Sequence, residues 1–167
     1  MTDPSETEAA RRAVLSSLVG ADDVPPLSAS VHVTIAARSH QGAARHRNED
    51  HFLVIRLGRE QETLATSLSG RDVPAQFREN GYVMLVADGL GEGGAGAVAS
   101  RIALSTMAHL MVHHGQWNLR VDPVTADQFF ERAEWFYAQA DTAVHTQASS
   151  DPALKGMTTA LTAACSA

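Results

Sequence analysis

The chain has 167 residues, 44% of them hydrophobic and 19% charged, so it can bury a core but is too short for two full domains. Its net charge of −6 and the lack of a Lys/Arg cluster argue against a nucleic-acid binder, which would neutralise phosphates with basic side chains. A single cysteine excludes an internal disulfide framework and zinc sites built on paired cysteines. The sequence shows no basic, apolar leader and no apolar run of roughly 18 residues, so we expect a cytoplasmic protein without a membrane span.

Residues 1–28 are predicted to form an extension ahead of a domain that covers residues 29–167. Ser5-Glu6-Thr7-Glu8 fits a capping box that starts a short helix, and Gly20 is a typical end for it. Pro25-Pro26 then indicates a linker.

The domain begins with strand patterns. Apolar and polar residues alternate over 31–35, and 51–57 has the composition of a second strand. The continuous apolar run 82–87 predicts a strand buried on both faces. Residues 58–80, which are polar and irregular, are expected to form a long surface loop. A last strand is predicted over 157–167, where the chain ends in mid-strand.

Two helices are predicted between the last two strands. Helical periodicity covers Val98 to His113, and a second helix runs from Thr125 to about Gln147. Four aromatic residues of the second helix are expected in the core: Phe129, Phe130, Trp135 and Phe136. Cys165, in the last strand, is expected to be a small buried hydrophobic residue. The order of elements predicts an α/β layered arrangement.

A first polar motif, Arg45-His46-Arg47-Asn48-Glu49-Asp50, stands just before the second strand. Because neighbours in a strand point to opposite faces, one of the two adjacent carboxylates should face inward, where it needs a cation or a hydrogen-bond donor. The alternative is a solvated turn, in which Asn and Asp are common.

A second motif, Asp88 followed by a glycine-rich stretch that reaches Gly96, comes after the apolar run. An Asp at the end of a buried strand lies where α/β sheets place ligands. Gly89 lets the backbone come close to a bound group and leaves a carbonyl free, and carboxylate and carbonyl oxygens together suit Mg²⁺ or Mn²⁺.

Two other interpretations of these patterns are weaker. Gly89, Gly91 and Gly94 have the spacing of a dinucleotide-binding turn, but Asp88 and Glu92 put negative charge where a diphosphate would lie. The acidic residue that should follow about twenty positions later is also absent. A histidine pair four residues apart, at 109 and 113, lacks the Glu of a zinc-binding helix and is typical of a helix end.

Taken in order, the two motifs resemble the bacterial type 2C phosphatases, the metal-dependent protein serine/threonine phosphatase family. That family also has a Gly-x-x-Ala-Ser helix start, matched here by Gly96 to Ser100, and a Met-Gly-Thr-Thr-Leu element that Met157 to Leu161 matches loosely. Glu92 stands where the family has a second glycine, and Leu90 where it has Met.

The resemblance implies an α+β layered sandwich of two β-sheets flanked by helices, here incomplete at the C-terminus. It implies hydrolysis of phosphoserine or phosphothreonine in a phosphorylated protein substrate, by hydroxide activated by two Mg²⁺ or Mn²⁺ ions in the complete domain. Asp50 and Asp88 would be metal ligands, together with the Gly89 carbonyl. Glu49 would bind one ion or order its waters, and Arg45 would hold the substrate phosphate.

The family's later acidic ligands have no counterpart in this sequence. The chain is therefore expected to be a fragment of the phosphatase domain. The alternative is a half-domain without catalysis that binds phosphoproteins through Arg45 or acts as a regulatory module.

Overall fold

The structure, a computed structural model, describes residues 33–43, 46–70, 72–115 and 126–166. From Val33 onward the chain forms one compact unit. The N-terminal extension predicted over 1–28 lies outside the described residues and stays a prediction.

Three strands and two helices make up this unit. They follow one another as β1 (His51–Glu62), β2 (Gln76–Leu90), α1 (Ala95–His114), α2 (Ala126–Ser150) and β3 (Thr158–Ser166). The strands form an antiparallel sheet with β2 in the centre. The predicted α+β class and both predicted helices are confirmed. Of the two sheets that the resemblance implies, the described residues build one.

Helix α1 contributes buried residues to both clusters of the core. It packs against all three strands, and α2 packs against α1. Its buried positions recur every three or four residues, as Ser100, Leu104, Met107 and Met111 do, so one stripe of the helix faces inward. Phe136 and its neighbours at four-residue spacing provide the matching stripe of α2.

The sheet is buried on one face only, which corrects the prediction for residues 82–87. Leu85 and Ala87 point to the helices and are 1% and 0% exposed. Met84 and Val86 point the other way and are 42% and 54% exposed. Both helices lie between β2 and β3 in the chain and pack on the same side of the sheet. The described residues leave the other side uncovered, so the continuous apolar run of β2 is buried on one face only. We call the side with Met84 and Val86 the open face.

The predicted loop over 58–80 is shorter than expected. β1 continues to Glu62 and β2 starts at Gln76, so the connection covers residues 63–75. Opposite charges across the two strands account for this polar pairing: Arg59 lies 2.7 Å from Glu79, and a second ion pair joins Arg78 to Glu60. Arg59 also lies over the ring of Phe77.

The strand predicted over 31–35 is wrong for its described part. Residues 33–40 form no strand, and Val33 and Ile35 are exposed. An alternating pattern forms a strand only where a neighbouring strand is available to pair with it.

Two predictions of burial are also corrected. Of the four aromatic residues of α2 that were predicted to lie in the core, only Phe136 is buried, because that helix meets α1 along a narrow stripe and Phe129, Phe130 and Trp135 lie outside it. Cys165 is exposed near the end of β3, on an edge strand. Partial desolvation raises the pKa of its thiol.

One helix differs from the expectation that no segment of the chain is apolar enough to span a membrane. The segment Glu92–His114 is long and apolar enough to cross a membrane, by length and composition. Core helices pass the same test, and the contacts of α1 with the sheet and with α2 account for its apolar residues.

Candidate metal centre

The pairing of β1 with β2 brings the two predicted motifs together. His51 is the partner of Ala87, so Asp50 and Asp88, which are the chain neighbours of this pair, lie at the same end of the two strands. Both aspartates are exposed, as is Val86, which lies on the open face. Two exposed carboxylates therefore lie at one end of the β1–β2 pair.

Glu49 does not share this position. Its Oε2 atom lies 2.5 Å from the point where a Cβ on Gly96 would be, which places the carboxylate at the first turn of α1. A carboxylate there is stabilised by the positive end of the helix dipole. The half-buried Glu49 and the exposed Asp50 thus point to opposite sides, and the prediction that one of the adjacent carboxylates faces inward is confirmed. A role of Glu49 as a metal ligand stays a prediction.

Gly89 is next to Asp88 and is buried. A Cβ at this position would overlap the carbonyl groups of Gly96 and Glu49. The sequence motif suggested that this glycine lets the backbone approach a bound group. In the structure it is the protein's own backbone that comes close, where the start of α1 crosses the sheet.

A buried hydroxyl joins these segments. Ser100 of α1 is 0% exposed, and its Oγ donates to the Glu49 carbonyl at 2.6 Å. Nδ1 of His51 lies 2.8 Å from the same oxygen. Neither Ser100 nor His51 was singled out from the sequence for such a role, although Ser100 belongs to the Gly-x-x-Ala-Ser match. The usable signal would have been a polar residue in the buried stripe of an apolar helix, since such a residue needs partners.

The turn interpretation of the first motif is also partly correct. The Asn48 side chain accepts a hydrogen bond from the Asp50 amide at 3.1 Å, which is a local turn contact. Asn48 donates in turn to Ser39. Arg47 is exposed and reaches the Gly93 carbonyl at 3.4 Å, so it fixes the glycine-rich stretch to the strand entry. Arg45 lies outside the described residues, and its predicted contact with phosphate stays a prediction.

The donors at this end of the sheet are all oxygens. Two carboxylates, Asp50 and Asp88, with a neighbouring backbone carbonyl at Gly89, are the type of ligand that Mg²⁺ and Mn²⁺ prefer. The number of donors is small, however. Among the described residues, no three His, Cys, Asp or Glu side chains are grouped in a way that could hold a metal. The chemical type of these ligands suits a hard divalent cation. They would supply part of its coordination shell, and water or further groups would supply the rest.

The two weaker interpretations find no support in the geometry. A dinucleotide-binding turn joins parallel strands through a helix, whereas β2 and β3 are antiparallel, and Gly89 is packed against the protein's own backbone. The ring of His109 contacts the Ser105 carbonyl of its own helix at 2.7 Å, as expected for an ordinary helix residue.

Comparison with known proteins gives one distant similarity. No protein-family model matches the chain, and no curated protein matches it. A solved structure that resembles it is the catalytic domain of the serine/threonine protein phosphatase PstP in complex with two manganese ions, with 21% sequence identity and a TM-score of 0.39. The match covers 68% of this chain and 43% of that domain, so the chain spans less than half the length of its structural neighbour. The similarity is weak and partial, and it concerns the fold alone.

Proposed function

We propose that this chain is part of a metal-dependent protein serine/threonine phosphatase and that Asp50 and Asp88 bind its divalent cation. The observation that carries the proposal is the register of β1 and β2. The His51–Ala87 pair brings two motifs that are 38 positions apart in the sequence to the same end of the sheet, and each motif has an exposed aspartate next to that pair. The order of the motifs, and the residues that they share with type 2C phosphatases, supply the reaction class.

Each residue has a role that its chemistry can support. The carboxylates of Asp50 and Asp88 would hold the cation, with the Gly89 carbonyl beside them. A bound Mg²⁺ or Mn²⁺ supplies a water of lowered pKa and neutralises negative charge on a phosphate. Arg45, five residues before Asp50, would bind phosphate oxygens through its planar fork of N–H donors. The substrate would be a phosphoserine or phosphothreonine in another protein.

A second candidate is a half-domain that binds phosphoproteins without hydrolysing them. The small number of ligands favours it, because no three His, Cys, Asp or Glu side chains among the described residues are grouped in a way that could hold a metal. In this case Arg45 would provide recognition.

The first test measures metal binding. The chain is titrated with Mn²⁺, and binding is measured as the loss of the EPR signal of the free ion. We expect the Mn²⁺ affinity to fall roughly tenfold or more in Asp50→Asn and Asp88→Asn, because losing even an outer-shell partner of a metal costs about 10–100-fold in affinity. Asp72→Asn, in the connection between β1 and β2, removes an exposed carboxylate elsewhere and should bind Mn²⁺ as the unchanged chain does. Equal affinity in all four proteins would contradict the assignment of the two aspartates.

The second test separates the two candidates. Release of inorganic phosphate from a phosphothreonine peptide that requires Mn²⁺ and is abolished by Asp88→Asn would establish the phosphatase and exclude a role in binding alone. Peptide binding without phosphate release, lost in Arg45→Ala but kept in Asp88→Asn, would establish the binding module instead.

A further inference from the structure

We propose that Ser100 is the positioning residue for Asp50, and that its hydroxyl holds the chain on both sides of this aspartate. This inference rests on the proposed role of Asp50 in metal binding. Asp50 is exposed, and its amide bonds only locally, to the side chain of Asn48 among the contacts described. Its two chain neighbours, in contrast, are both bonded to one buried atom.

The two contacts are short and come from a rigid element. Ser100 Oγ lies 2.6 Å from the carbonyl oxygen of Glu49 and 2.8 Å from Nδ1 of His51. Ser100 is 0% exposed and sits in α1, the helix that packs against all three strands. The Glu49 carbonyl and the His51 side chain are bonded to the same helix position, so the chain is attached to α1 on both sides of Asp50.

The hydrogen count at Ser100 assigns the tautomer of His51. The hydroxyl has one proton, and three backbone carbonyls surround it: Glu49 at 2.6 Å, Gly96 at 3.1 Å and Ala97 at 3.4 Å. A carbonyl can only accept, so the proton belongs to the shortest contact, that with Glu49. Nδ1 of His51 must therefore carry a hydrogen and donate it to Oγ, since two lone pairs at 2.8 Å would repel each other.

The Ser100 contacts affect the candidate metal centre through the orientation of Asp50. β1 begins at His51, so Asp50 lies just outside the regular ladder with β2 and is not fixed by it. The Ser100 contacts hold both chain neighbours of Asp50 and so keep its carboxylate at the end of the sheet where Asp88 lies. Without them, Asp50 would retain its charge but lose its fixed orientation.

Mn²⁺ binding by matched serine variants of α1 tests the inference. Ser100→Ala should weaken the affinity about tenfold, the lower end of the cost of losing a group that orients a metal ligand. Ser105→Ala is the control, because Ser105 lies on the same helix, is exposed, and its hydroxyl bonds only to the Ile102 carbonyl among the described contacts. Its affinity should equal that of the unchanged chain. Equal affinity in Ser100→Ala would overturn the inference.

Variants of His51 provide a second test that does not depend on the folding of Ser100→Ala. His51→Asn keeps an N–H donor near the Nδ1 position and should stay within about threefold of the original Mn²⁺ affinity, whereas His51→Leu should weaken it about tenfold, because it lacks the donor. Equal loss in the two variants would contradict a role for the hydrogen bond.

A metal-free spectrum gives an independent readout. In long-range ¹H–¹⁵N NMR spectra, His51 should show a hydrogen on Nδ1, and Ser100→Ala should lose that preference. An Nε2–H tautomer in the unchanged chain would overturn the hydrogen assignment.

Mn²⁺ binding that does not depend on Asp50 would contradict the proposed function. Binding that depends on Asp50 but not on Ser100 would contradict this inference alone.

Discussion

Gly89 and Gly96 lie where two backbone segments cross with no room for a side chain. A Cβ on either residue would overlap backbone atoms of the other segment, and a Cβ on Gly96 would also meet the Glu49 carboxylate. The two glycines therefore allow the first turn of α1 to rest directly on β2, one residue from Asp88. Their contribution to the site is indirect, because they set the distance between the helix and the strand that carries the aspartate.

The stability of a Gly89→Ala variant tests this close approach. Alanine normally stabilises a strand relative to glycine by roughly 0.5–1 kcal/mol. Here we expect a loss of about 1–3 kcal/mol, since the added methyl group must displace backbone. Gly70→Ala is the control, because nothing lies within 4 Å of a Cβ there. Urea denaturation measures both variants, and a Gly89→Ala variant as stable as the original would show that the helix start can move away.

Strand β2 organises the fold at the scale of elements. It is the central strand, it pairs with β1 and with β3, and it contacts α1. Its side chains alternate between the helices and the open face, so neighbouring residues of similar hydrophobicity contribute very differently to stability.

Alanine substitutions at Leu85 and Val86 measure this difference. Leu85→Ala should lower the free energy of unfolding by about 2–5 kcal/mol, because it leaves a cavity in the core. Val86→Ala should cost less than about 1 kcal/mol, the range of strand propensity at an exposed site. Denaturation curves in urea give both values. Similar losses in the two variants would mean that the open face is covered in solution.

The unequal faces of the sheet are the main feature of the whole molecule. The open face has large apolar residues exposed across two strands, namely Phe52, Met84, Val86 and Leu90. Exposed apolar surface of this kind is uncommon on stable monomers and binds apolar dyes. The aspartate pair lies at one end of this face, so whatever covers it would also border the candidate metal centre.

Fluorescence of the dye ANS tests the exposure of this face. Val86→Thr keeps the shape of the side chain but adds a hydroxyl, so we expect weaker dye fluorescence and a stability within about 0.5 kcal/mol of the original. Val112→Thr makes the same change on α1, at a residue that is 65% exposed and lies outside the open face. Its fluorescence should not change, and an equal decrease in both variants would place the dye elsewhere.

Much of the fold followed from local patterns. The helix over 98–113 and the one over 125–147 were predicted within three residues of their observed ends, because apolar periodicity is a property of the segment itself. The strand lengths of β1 and β2 were not predicted, because their distal halves are polar and are held by pairs such as Arg59 with Glu79, which only the register brings together. The exposure of Phe129, Phe130 and Trp135 depended in the same way on how α2 meets α1.

The sequence by itself determined the chemical types of the candidate site: two aspartates, a glycine beside one of them, and an arginine and a glutamate near the other. Those identities are local, so spacing and composition are enough to pick them out. Only the tertiary structure decided which of them meet. The pairing of β1 with β2 brings Asp50 and Asp88 to the same end of the sheet. The packing of α1 on the sheet places Glu49 at the first turn of the helix and brings Ser100 to the residues that flank Asp50. The Ser100 contacts join residues 49 and 51 positions apart, and no local pattern specifies a contact over that distance.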